Sequence, residues 1–259
     1  MTLAPRLAEF GVDRPLSARS LILSSLMGLY PSQVPVRTLV TLTGLFGIEE
    51  GTTRVALSRM VIAAELTKEG ATYGLSGPIL DRLSSQDLGR SGIVGKWDGK
   101  WWGVVITADC RQRSERDEFR TMMANLRFVE LRDGVWGRPT NLVAPESHGH
   151  FTVWRAELVT EDPIALACRL WNLPGWVDNA RSLCDAMGAK PDSVSVDDAA
   201  ELRDRFMLSA AINRHLRADP LLPAALLPED WPGEALRAEF ECFYTDFTTT
   251  IRTYLGVPA

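Results

Sequence analysis

The spacing of apolar positions changes character along the chain, and each change predicts a different kind of element. Leu21, Ile22, Leu26 and Leu29 recur at helical spacing behind Ser17, which suits an N-cap. A second helix is predicted from Pro35, with Val36, Leu39, Val40 and Leu42 inward; Gly44 and Gly47 bracket its end, beside the apolar Phe46 and Ile48. A third begins near Glu49 and Glu50, acids that suit a helix N-terminus. In it Leu57, Met60, Val61 and Ala64 share one face. Thr52, Val55, Ser58 and Arg59 point away, with Arg54 at the edge. Leu66 to Leu75 then reads as two short strands about Gly70. Helix, helix, turn, helix, hairpin is the order of a winged helix-turn-helix, whose third helix lies in the DNA major groove.

The pattern shifts after Asp81. A polar stretch to Gly95 predicts a linker or linker helix. Asp98-Gly99 marks a turn, Gly103 to Thr107 a strand, and Arg113 to Leu126 a helix with Phe119, Met122, Met123 and Leu126 inward. Phe128 to Leu131, Val135-Trp136 and the alternating Phe151 to Leu158 follow as strands about an Asp133-Gly134 turn. This order predicts a small ferredoxin-like α+β domain. From Pro163 onward the pattern is helical: Ile164 to Trp171, Trp176 to Met187, a third from Asp197-Asp198 through Ile212, and a last from Glu234 to Leu255. The fold class is multidomain α+β. The expected domains are 1–80 (winged helix-turn-helix), 95–160 (ferredoxin-like) and 163–259 (helical).

Composition narrows the function classes. At 259 residues, 46% hydrophobic and 24% charged, the chain has an ordinary globular balance. Met1 to Asp13 shows no sustained apolar stretch behind Arg6, so no signal peptide is expected, and no run approaches membrane-spanning length. Cys110, Cys168, Cys184 and Cys242 are scattered, which fits a reducing cytoplasm and argues against a structural zinc site. The net charge of −5 is unusual for a DNA binder. Locally, Arg14, Arg19, Arg37, Arg54, Arg59 and Lys68 face Glu49, Glu50, Glu65 and Glu69. Six cations against four anions leave Arg14 to Leu75 at +2 and the rest at −7. Phosphate contacts need local rather than global positive charge.

Five stretches carry a resemblance to a known family: Ser17-Ala-Arg-Ser-Leu-Ile-Leu23, Arg54-Val-Ala-Leu-Ser-Arg-Met60, Trp97-Asp-Gly-Lys-Trp101, Asp133-Gly-Val-Trp136 with Pro139, and Asp219-Pro-Leu-Leu-Pro223 followed by Leu226 to Gly233. Their order resembles that of the PaaX-like repressors, the phenylacetic acid degradation regulators. The resemblance implies an N-terminal winged helix, a middle domain like the small CRISPR-associated nuclease fold, a helical C-terminal domain and a homodimer. It also implies repression of catabolic genes and release from operator DNA by an acyl-CoA such as phenylacetyl-CoA.

Arg37, Thr52, Thr53, Arg54, Ser58, Arg59 and Lys68 are the expected DNA-binding residues. Arg203, Arg214, His215, Arg217 and Trp231 are the candidate effector-binding residues; at about 100° per residue Arg203, Arg214 and Arg217 fall within about 60° of one another, with Arg205 off that face. Their alternative role is surface pairing with Asp197, Asp198, Glu201 and Asp204. Trp97, Trp101, Trp102, Trp171, Trp176 and Trp231 either fill cores or line an aromatic acyl pocket. No catalytic residue, metal site or cofactor is expected. Asp109 lacks a second carboxylate, since Asp98 and Asp117 lie in turn and helix contexts. His148-Gly-His150 lacks a third ligand, and the chain has no Gly-rich phosphate loop. The competing readings are a metal-dependent nuclease built on the middle domain and a protein-binding adaptor.

Overall fold

Ser17 accepts a hydrogen bond from the Ser20 amide at 3.2 Å and so caps α1 (Ala18–Gly28), as its position predicts. The structure is a computed structural model that describes residues 16–28, 33–107, 113–147, 150–159, 162–189 and 198–256. Met1 to Asp13, Arg14, Leu29, Asp109, Cys110, His148 and Asp197 lie outside the described residues. The chain divides into two units. One comprises Met1–Asp87, Arg181–Arg214 and Ala235–Ala259; the other comprises Leu88–Ala180 and His215–Glu234. No described helix is long and apolar enough to cross a membrane.

In the first unit α1 is followed by β1 (Gln33–Pro35), α2 (Val36–Leu45), α3 (Glu50–Ile62), β2 (Leu66–Glu69) and β3 (Thr72–Leu75). The strands form an antiparallel sheet in the order β1-β3-β2. β1 escapes the sequence pattern because three residues are too few to show alternation. Ile22, Leu26, Leu39, Leu57, Met60 and Tyr73 converge in one core, which is why the helical stripes face inward. The turn into α3 depends on Gly47, whose φ of +75° is open to glycine at no steric cost; the Gly47 and Ile48 amides bond back to Gly44 and Thr43. The hairpin turns at Gly70, with φ +59°.

The C-terminal helices α8 (Ala199–Arg217) and α9 (Gly233–Tyr254) contribute to the same unit. The Phe46 ring, just after α2, meets Phe206 of α8 edge-on at 5.2 Å, and Phe206 meets Phe247 of α9 at 6.3 Å. The Arg203 guanidinium donates to the Leu45 carbonyl at 3.1 Å. Arg205 is buried and paired with Glu201 at 3.2 Å and Asp246 at 2.6 Å. α4 (Gly77–Ser91), overlapping the stretch that reads as a linker or linker helix, is a helix.

The second unit holds β4 (Lys100–Ile106), α5 (Arg113–Asn125), β5 (Val129–Arg132), β6 (Val135–Pro139) and β7 (Phe151–Glu157), with α6 (Pro163–Trp171) and the first part of α7 (Leu173–Gly188). The sheet is antiparallel throughout, in the order β5-β6-β4-β7. Numbered within this sheet that is 2-3-1-4, the ferredoxin-like order the sequence predicts, with no helix between β6 and β7 among the described residues. α5 covers one face and packs Phe119 and Met123 onto Val104, Trp136 and Phe151. Trp154 lies across Gly103, its cross-strand partner, where an added Cβ would meet the indole at 2.0 Å. On the other side, Trp101, Ala167, Leu173, Leu222 and Leu226 form a second core.

The Asp219–Pro223 segment is fixed from several sides. The Asp219 carboxylate accepts from the Leu221 amide at 2.8 Å, and Leu221 takes a left-handed φ of +51°. Its carbonyl receives Asn141 Nδ2 at 2.8 Å and Arg138 at 3.4 Å. Arg138 is fully buried and also donates to the Leu126 and Pro139 carbonyls and to Asn141 Oδ1. Every acceptor is a carbonyl oxygen. Burial, reinforced by the nearby Arg127, pulls the Arg138 guanidinium down to about 9, so it still carries its charge at neutral pH.

Candidate nucleic-acid interface

α3 carries the candidate face. Leu57 and Met60 are buried, while Gly51, Thr52, Arg54, Val55, Ser58, Arg59 and Ile62 are exposed. The first turn bears Glu50, and the helix closes through Ala64 in a left-handed conformation, with the Glu65 amide bonded to the Met60 carbonyl at 2.9 Å. Glu65 in turn pairs with Arg19, whose Nε lies 2.9 Å from its Oε2, tying the end of α3 to α1.

Arg59 is exposed and has no protein partner among the described residues, so its guanidinium is available to a phosphate or a base edge. Arg54 is engaged instead with Glu50 at 2.7 Å; both side chains are 57% exposed, and such a pair gives way easily to a stronger anion. Arg37 is exposed in the first turn of α2. Lys68 is exposed on β2, 5.8 Å from the Tyr73 ring centre. Thr52 and Ser58 face solvent as the pattern requires.

Thr53 is the correction to the expected DNA-binding set. It is fully buried, its hydroxyl 2.7 Å from that of Thr43 and 3.3 Å from the Glu49 carbonyl. The cause is helical spacing: Thr53 lies four residues before Leu57 and seven before Met60, on the buried stripe. The signal was present in the sequence but masked by residue type, because threonine reads as polar. Thr53→Val should lower unfolding free energy by about 1 kcal/mol, since one buried hydroxyl loses a partner. It should leave DNA affinity of the folded protein unchanged. Urea unfolding and a binding titration separate the two effects; a selective loss of affinity would return Thr53 to the interface.

The candidate effector residues divide between the two units, Arg203 and Arg214 in the first and His215, Arg217 and Trp231 in the second. Arg203 is bonded to Leu45, and Arg214 stands eleven residues further along α8, about 16 Å away at 1.5 Å per residue. Arg214 is exposed and Arg217 half-buried, and both have protein contacts. His215 and Trp231 are brought together in the second unit, on opposite partnerships with Trp176: ring centres are 4.2 Å apart for His215 and 4.3 Å for Trp231, both stacked. Trp176 Nε1 donates to the His215 carbonyl at 3.3 Å, and His215 Nε2 is buried without a hydrogen-bond partner among the described residues.

Burial pushes His215 down to about 4. Its folded value lies below its unfolded one near 6.5, so the stability gained by burying the neutral ring is present above pH 6.5. It is lost as pH falls through about 4. The loss builds up as pH falls from about 6.5 and approaches about 3 kcal/mol once pH is below the folded value. Urea unfolding between pH 7 and 4 should therefore fall more steeply in the wild type than in His215→Phe, which keeps an aromatic ring there but cannot titrate. Parallel curves would contradict the assignment.

Asp98 pairs with Arg155 and accepts from the Thr140 hydroxyl at 2.7 Å, which holds its carboxylate below the usual range. Asp117 is exposed on α5. Trp101 and Trp171 meet at 6.0 Å within the second unit's core.

In comparisons with known families, residues 17–78 match PaaX-like protein, residues 94–148 match the PaaX protein central Cas2-like domain, and residues 173–256 match the PaaX-like protein C-terminal domain. Among solved structures, the chain is similar to the uncharacterized protein Rv0674 from Mycobacterium tuberculosis. Identity is 38%, with 92% of this chain and 98% of that one covered, and the TM-score is 0.67. A comparison with curated proteins yields no match.

Proposed function

The chain belongs to the PaaX-like family of transcriptional regulators, and we propose that it is a repressor that holds operator DNA with a winged helix-turn-helix formed by α1, α2, α3 and the β2–β3 wing. The observation that carries this reading is the division of α3. Its apolar side is buried, and its other side presents Thr52, Ser58 and Arg59, which has no partner among the described residues, to solvent. Placed in a major groove, that side meets base edges, while Arg37 and Lys68 supply phosphate contacts.

A reading head with so little positive charge binds a short site weakly, so two act together as a homodimer. Their α3 helices would enter successive major grooves about 34 Å apart, which makes the operator two-fold symmetric. The effector is an acyl-CoA thioester that favours a dimer with the wrong helix spacing. α8 is the route by which such a change reaches DNA, because Arg203 and Phe206 grip Leu45 and Phe46 at the turn leading into α3.

A footprint on the DNA upstream of its own gene tests this reading. Protection in two symmetric halves is expected, lost on addition of phenylacetyl-CoA or a related thioester; operator DNA should weaken thioester binding by the same factor. Absence of protection at low salt would favour a protein-binding adaptor, and magnesium-dependent cleavage of the probe would favour a nuclease.

A further inference from the structure

The outward face of α3 is apolar along its midline. Val55 is 51% and Ile62 83% exposed. At about 100° per residue they lie roughly 20° apart, with Ser58 about 60° from Val55 on one side and Arg59 about 40° on the other. The hydrogen-bonding groups therefore sit on the flanks. Gly51, one turn before Val55, has no side chain, and an added Cβ there would meet nothing within 4 Å, so the approach to Val55 is open. Val55 also lies in the first half of the helix, the half that meets base edges in helix-turn-helix complexes. Among the groups exposed in the major groove, the 5-methyl of thymine is the apolar one. Arg59, beside Val55 and without a protein partner among the described residues, gives this face the charge that suits nucleic acid rather than an apolar protein surface.

We propose that Val55 is a specificity residue that reads thymine. Its γ-methyl groups close over the 5-methyl of one thymine in each half-site, next to the base contacted by Arg59. Ile62 continues the apolar strip toward the far end of the helix. The proposal rests on α3 being the DNA-reading helix.

The test uses the full-length protein and duplexes it selects itself from a random-sequence pool. Each thymine is replaced in turn by deoxyuridine, which removes the methyl and keeps the pairing. At one thymine per half-site the exchange should weaken wild-type binding about fourfold, the value of one buried methyl group. Val55→Ala, a substitution at an exposed position, should bind the thymine and uracil duplexes equally there. If no position distinguishes thymine from uracil while Arg59→Ala still weakens binding, the methyl reading fails and the reading helix stands. Discrimination that persists in Val55→Ala also overturns the proposal. Failure to select any sequence overturns both.

Discussion

Arg138→Met should cost about 3 kcal/mol of unfolding free energy, seen as a lower urea midpoint with an unchanged slope. Two effects compete. The buried guanidinium pays for desolvation, which is what draws its pKa down to about 9, and replacing buried charges with apolar groups often stabilises a protein. That compensation requires removing the partners as well. Here three of them are the main-chain carbonyls of Leu126, Pro139 and Leu221, and no substitution at position 138 removes these. Leu221 keeps its bond from Asn141, but Leu126, Pro139 and the Asn141 side-chain oxygen each lose a charged donor. Arg138→Lys should recover part of the loss, because an ammonium can reach some but not all of a planar fork's acceptors. A neutral or stabilising methionine would show that desolvation outweighs the four hydrogen bonds.

Arg59→Ala should weaken operator binding by roughly 1–3 kcal/mol and relax preference at one base position per half-site if Arg59 meets a base edge; a phosphate contact would cost less and leave preference intact. Arg54→Ala should cost less than Arg59→Ala, because Arg54 must first release Glu50. Both side chains are exposed, so neither substitution should alter thermal unfolding by more than about 0.5 kcal/mol. Equal affinities for both variants and the wild type would mean that another element reads the DNA.

The N-terminal helices and hairpin were legible from sequence because two periodicities meet there: the helical stripes of α1 to α3 and the glycine-punctuated hairpin. The sheet of the second unit was legible for a similar reason. Its strands alternate, and their order leaves few pairings. Thr53 was misplaced because its polarity contradicts its position, and the fold resolves the conflict with a hydroxyl pair to Thr43, ten residues away. The candidate effector arginines were misleading in another way. A helical wheel gives angle without height, so Arg203 and Arg214 share a face yet stand three turns apart. Arg203 is better explained by its bond to Leu45, a partner 158 positions away that no local pattern reveals. The Asp219–Pro223 run shows the converse. It stood out in the sequence, but its constraint is tertiary: a left-handed Leu221 held by Arg138 and Asn141.

If α3 reads the operator, the protein binds DNA sequence-specifically. The most direct test is the ratio of affinities for the footprinted operator and for random DNA of equal length, at about 0.15 M salt, with the full-length protein. A ratio of roughly 10³ or more that falls in Arg59→Ala is expected. A ratio near one, unaffected by Arg59→Ala, would contradict specific binding through α3.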